Sequence, residues 1–153
     1  MIEGEVCWLK RTDIEEAVDV YKEGMKMEKP PGQGSRSYVR EILEDNRCIV
    51  YKEEGEIKGL AEFEGFERFV ELNFMCALEP GKGIGSCLMK KLAEHCKEQG
   101  FDRIVTGVSN KDERAQSFYD SLGFVRFFVK DKEDFKVYKI EVLPEKILEE
   151  TSE

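Results

Sequence analysis

Apolar residues recur along this chain at two periods, one of two residues and one near 3.6, and the switches between them mark out its elements. Glu5 to Leu9 alternates as a short strand. Thr12-Asp13-Ile14-Glu15 then has the form of a capping box, in which a Thr and a Glu three residues on satisfy free amides, so a helix is predicted from there. Its apolar stripe is Ile14, Ala17, Val18, Tyr21 and Met25, and it breaks at Lys29-Pro30-Pro31-Gly32-Gln33-Gly34, a loop. Ser35 or Ser37 caps a second, short helix with Val39, Ile42 and Leu43 inward. A hairpin follows from Cys48 to Lys52 and Ile57 to Phe63, turning at Glu54-Gly55.

Val70 to Cys76 reads as the next strand, with Val70, Leu72, Phe74 and Cys76 on one face and Glu71, Asn73 and Met75 on the other. Beyond Pro80-Gly81-Lys82-Gly83-Ile84-Gly85 the stripe Ile84, Leu88, Leu92 and Cys96, flanked by Met89 and Ala93, predicts a long helix closed by Gly100. His95 falls outside the stripe and reads as a surface helix residue. Asp102 to Val108 is a β-branched strand, Ala115, Phe118, Tyr119 and Leu122 keep helical spacing, and Val125 to Val129 pairs with Phe135 to Val142. The predicted fold class is α/β (α+β): a mixed, mostly antiparallel sheet of six to seven strands flanked by about four helices. One domain spans residues 1–143, and residues 144–153 read as a frayed C-terminal tail.

Composition narrows the partners. With 37% charged residues and a net charge of -9, Lys and Arg interleave with Glu and Asp and form no basic run, which argues against nucleic acid or an anionic membrane. A cationic amine suits such a surface. No apolar run approaches the ~20 residues of a membrane span, and the start of the chain has no signal character, so a cytoplasmic protein is expected. Five cysteines without C-x-x-C spacing suggest neither a disulfide framework nor a metal site.

Three glycines in five residues between a strand and a helix start let the backbone approach an anion while free amides point at it. The same residues can instead form a tight turn with Gly83 and Gly85 easing helix packing. This stretch resembles the central motif of the GNAT superfamily of acyl-CoA N-acyltransferases, Arg/Gln-x-x-Gly-x-Gly/Ala, at both glycines. A second stretch is similar too: Val108, Asp112-Glu113-Arg114-Ala115, Phe118-Tyr119 and Leu122-Gly123-Phe124 follow the family's Val-x-x-x-Asn-x-x-Ala-x-x-Phe/Leu-Tyr-x-x-x-Gly-Phe pattern.

The resemblance implies an N-acetyltransferase that moves an acetyl group from acetyl-CoA to a primary amine by direct attack in a ternary complex, with no metal. It implies that the backbone of Met75, Cys76 and Ala77 meets the pantetheine arm and that amides of Lys82, Gly83, Ile84, Gly85 and Ser86 hold the pyrophosphate. Tyr119 stands at the family's thiolate-protonating tyrosine. Glu71 is the candidate base, with Glu62 and Glu64 on the adjoining strand as rivals. Pro80 replaces the motif's Arg or Gln, and Asp112 replaces its Asn, for which Asn110 is a substitute. These departures keep open a second reading, an acyl-CoA-binding sensor or interaction module without turnover. The acceptor is a small or peptidic amine, and the aromatic last strands either fill the core or form a homodimer.

Overall fold

The computed structural model describes residues 4–152. The strands are β1 (Glu5–Trp8), β2 (Arg47–Glu53), β3 (Glu56–Gly65), β4 (Phe69–Ala77), β5 (Arg103–Ser109), β6 (Val125–Asp131) and β7 (Lys136–Val142). The helices are α1 (Ile14–Met27), α2 (Arg36–Asp45), α3 (Ile84–Gln99), α4 (Glu113–Ser121) and α5 (Pro144–Thr151). Among the described residues these strands form one mixed sheet in the order β1-β2-β3-β4-β5-β7-β6. It is antiparallel except where β4 and β5 run parallel. The expected α/β architecture is therefore present.

Two cores lie on opposite faces of the sheet. On one, α3 buries Ile84, Leu88, Met89, Leu92, Ala93 and Cys96 against Ile49, Phe63, Val70 and Ile104. On the other, α1 and α2 bury Ala17, Val18, Tyr21, Val39 and Leu43 against Val50, Leu60 and Phe74. Glu54 (φ 49°) and Gly55 (φ 80°) make the tight β2–β3 turn, whose left-handed residues match the twist of paired strands.

Several expectations need correction. Helix α1 starts at Ile14 after a 3₁₀ turn over Arg11–Asp13, and no side chain among the described residues caps it. The capping box is unused: Thr12 lies inside the 3₁₀ turn, and Glu15 pairs with Arg36 at 3.0 Å and with Arg40, while Asp13, the residue before the helix, takes Lys52 at 2.6 Å. Residues after Pro144 are α5, not a frayed tail; Ile147 is fully buried in the α3-side core. His95 is buried, with its ring 5.0 Å from Trp8 and 5.6 Å from Phe63, because β1 and β3 extend the α3 contact beyond the apolar stripe. Burial, then the Arg47 charge, holds its imidazole below the ordinary histidine value. In β6, Phe127 and Phe128 are exposed, so these aromatics do not fill the core.

Strand β4 departs most from simple alternation. Glu62 pairs with Phe74 but Phe63 pairs with Leu72, so Asn73 is an extra residue, a β-bulge. Below it Val70 and Leu72 face α3; above it Phe74 and Cys76 face α1 while Met75 and Ala77 pack on the α3 side. The four residues expected on one face are thus split two and two.

Candidate active site

The sheet opens beside this bulge. Strands β4 and β5 pair at Phe69 with Arg103, Val70 with Ile104 and Glu71 with Val105, and nowhere beyond. At the fork the Thr106 hydroxyl donates to the Leu72 carbonyl oxygen at 2.8 Å, a side chain standing in for the lost ladder bond. Past it two hollows, of about 390 and 450 Å³, share Glu28, Met75, Asp112, Ala115 and Tyr119 as a common wall.

The larger hollow is bounded by the glycine loop. Gly83 is the residue before α3 and is left-handed (φ 80°), a conformation that favours glycine. No side chain caps α3 among the described residues, whereas Ser35 caps α2 and Asp112 caps α4. The amides of the first turn of α3 are therefore free to meet an anion at the positive end of the helix dipole. Met75, Cys76, Ala77, Gly83, Ile84, Gly85 and Ser86 all line this hollow. Gly85 also has a packing reason, since a Cβ there would stand 3.1 Å from Phe118.

Two expected coenzyme residues lie off the larger hollow, and a third lines it with its carboxylate engaged elsewhere. Lys82 does not line the hollow; its ammonium pairs with Glu79. Asn110 lines neither hollow, because its side-chain oxygen accepts from the Lys136 amide at 3.0 Å and holds the β5–α4 loop against β7. Asp112 lines both, but its carboxylate accepts the Ala115 amide at 3.1 Å as the helix cap. Arg114, which sequence reasoning passed over, is exposed on the wall of the larger hollow and has no ion pair among the described residues. Its position in the first turn of α4, beside the glycine loop only in three dimensions, left no signal in the chain.

The smaller hollow is walled by β4, β5 and β7, with Glu71, Asn73 and Phe74 on one side and Gly107, Val137 and Lys139 on the other. Glu71 lies opposite Glu64 across the β3–β4 ladder. Its rival Glu62 is buried to 1% exposure and accepts from Tyr21 at 2.9 Å, Asn46 at 2.8 Å and Asn73 at 2.7 Å. Glu62 is an anchor of the bulge with its oxygens already occupied.

Two hydroxyl and thiol groups differ sharply in use. Tyr119 lines both hollows with 8% exposure. Burial raises its phenol well above the ordinary value, the neighbouring Thr106 hydroxyl offsets part of that, and Asp112 and Glu28 add to it. It stays protonated at neutral pH. Cys76 donates to the Val20 carbonyl oxygen at 3.8 Å, and burial pushes its thiol up to about 12, which rules it out as a ready thiolate nucleophile.

Glu28, at the C-terminus of α1, also escaped sequence reasoning, since nothing distinguishes it among the glutamates of a charged chain. It lines both hollows, and burial, then the Asp112 carboxylate, raises its carboxyl to about 7. No group of three or more His, Cys, Asp or Glu side chains among the described residues could hold a metal ion. No helix there is long and apolar enough to cross a membrane.

Solved structures share this architecture. The chain is similar to an N-acetyltransferase from Staphylococcus aureus Mu50, with TM-score 0.77, 17% identity, and coverage of 94% of this chain and 99% of that one. It is similar to the Salmonella typhimurium protein yncA, solved with its cofactor acetyl-CoA, with TM-score 0.76, 16% identity, and coverage of 94% and 95%. It is also similar to the ribosomal-protein-S18-alanine N-acetyltransferase of Escherichia coli, with TM-score 0.78, 15% identity, and coverage of 92% and 93%. No curated protein matches in sequence. Identities this low establish the fold alone. The profile of the acetyltransferase (GNAT) family matches residues 13–124, taking in the glycine loop, the forked strands and α4, and on that match the chain belongs to the GNAT acetyltransferase family.

Proposed function

We propose that the protein transfers the acetyl group of acetyl-CoA to a primary amine by direct attack in a ternary complex. The observation that carries this reading is the meeting of two hollows at the β4–β5 fork, one built from free helix amides and glycines, the other from polar strand residues. A thioester in the first and an amine in the second would approach each other at the shared wall. Amides at the start of α3, with Arg114 as the nearby cation, suit a pyrophosphate. Met75 to Ala77 stay paired with β3 but have no β5 partner, and backbone unpaired on that side suits an amide-bearing arm.

Tyr119 is the proposed donor to the departing thiolate, since its phenol is protonated and borders both hollows. Glu71 faces the amine hollow as a candidate for the amine's proton or its charge. The inert thiol of Cys76 favours direct transfer over an acyl-enzyme. Asp112 favours a second reading, a sensor that binds acetyl-CoA without turnover, because its carboxylate is committed to the α4 cap and cannot donate to the coenzyme.

Calorimetric titration of acetyl-CoA into the wild type and Gly83→Glu tests the cradle. The variant puts a side chain and a negative charge where the phosphates would sit, at a left-handed position where a non-glycine residue costs roughly 1–2 kcal/mol. Micromolar binding lost in a variant with an unchanged circular dichroism spectrum is the expected result. Equal affinity in both proteins would reduce the loop to a turn. Thioester consumption with a panel of amines then separates transferase from sensor.

A further inference from the structure

Glu28 is held in a way that opposes stability on three counts. It is the residue immediately after α1, where the negative end of the helix dipole repels a carboxylate. It is half-buried, and no side-chain hydrogen bond or ion pair of its carboxylate is found among the described residues. The Asp112 carboxylate stands near enough across the hollow to raise it further. The returning loop also crowds it, since a Cβ on Gly32 would come within 2.5 Å of its Oε2. A carboxylate kept under such conditions, on the wall common to both hollows, needs a reason other than folding.

We infer that Glu28 takes the proton from the attacking amine, an assignment that rests on the acetyl-transfer reading above. The acceptor enters as an ammonium and loses one proton to the Glu28 carboxylate, which passes it to water. The neutral nitrogen forms its bond to the acetyl carbon as the carbon–sulfur bond breaks. Tyr119 gives its proton to the sulfur and regains the second proton lost by the nitrogen. One amide, one thiol and one released proton result.

A base that titrates near the working pH is half available and still strong enough to accept a proton. The groups around Glu28 set that balance. From α4 come Asp112, Tyr119 and Arg114; from β4, Cys76 and Glu71; from α1, Tyr21; and Lys29 and Lys139 flank the amine hollow. Of these, Asp112 alone moves Glu28, in the same direction as its burial. Glu71 lines only the amine hollow and so lies off the shared wall, which leaves it the charge of the incoming amine.

The test compares wild type, Glu28→Gln and Glu71→Gln, with acetyl-CoA saturating and thiol release followed over a panel of primary amines: glycinamide, putrescine, tyramine and a free N-terminal tetrapeptide. Glu28→Gln is expected to lower kcat roughly 100-fold or more and to abolish the acidic limb of the wild-type profile near pH 7, with acetyl-CoA affinity kept. It should also be more stable than wild type to urea at pH 8 and equal at pH 4. The sign follows from a folded value raised above the unfolded one: the wild type loses stability as pH rises from about 4.5 toward about 7, and the amide does not. Lower activity with higher stability is the pair of results a structural role would not produce. Wild-type turnover with an unchanged profile in Glu28→Gln, or a profile that moves in Glu71→Gln instead, overturns the assignment and leaves the transferase reading intact. Binding of acetyl-CoA with no turnover on any amine overturns both.

Discussion

Glu62 shows how one buried carboxyl group can tie several elements together. Its carboxylate collects donors from α1, from the residue after α2 and from the β4 bulge, through Tyr21, Asn46 and Asn73. Replacing it with Ala leaves those donors without an acceptor, the costly direction of asymmetry in hydrogen bonding. Glu62→Ala is expected to lose about 3 kcal/mol of stability, read as a fall in the urea midpoint, and Glu62→Gln less, since one acceptor oxygen survives. A loss under about 0.5 kcal/mol in the Ala variant would mean that the network contributes nothing net. Glu28, Glu62, Glu64 and Glu71 look alike in the sequence. Their roles separate only by depth and by which donors reach them, and those are properties of the packed chain.

At the scale of elements, α5 and β4 carry the main lessons. Apolar residues in the last ten positions are few, so no stripe announced α5. Pro144 at its first turn and Ile147 buried beneath α3 are nevertheless an ordinary helix start and an ordinary core contact. Ile147→Ala should cost about 3 kcal/mol, the scale of a buried large-to-small change, measured by urea denaturation. A change under about 0.5 kcal/mol would return this segment to the status of a loose tail. In β4 the strand itself was legible from its alternation, but the bulge was not. Asn73 is the extra residue because Glu62 and Glu64 both bind its amide, at 2.7 and 3.0 Å, so the kink is imposed by the neighbouring strand. That kink sits where pairing with β5 ends. By contrast, the α3 stripe, the Ser35 cap and the left-handed Gly100 follow from local rules and stand where those rules put them.

For the whole molecule, the larger hollow, proposed above to take acetyl-CoA, would link binding to stability. If acetyl-CoA occupies only the folded state, a concentration 100-fold above its dissociation constant should add about 2.7 kcal/mol, or roughly 5–10 °C in Tm for a chain of this size. Thermal unfolding with acetyl-CoA, and with Gly83→Glu as control, reads this directly; equal shifts in both proteins would place the ligand outside the cradle. By itself the sequence determined the order of elements as far as β7, the glycine loop between a strand and a long helix, and the family motif around Tyr119. These are local, because periodicity, caps and left-handed glycines act over a few residues. Tertiary structure alone decided the split of β4 between two cores, the burial of His95, the diversion of Asn110 to β7, and the gathering of Glu28, Asp112 and Tyr119 on one wall. Each depends on residues dozens of positions apart sharing a low-dielectric space, and desolvation and partner choice in such a space are set by the assembled fold.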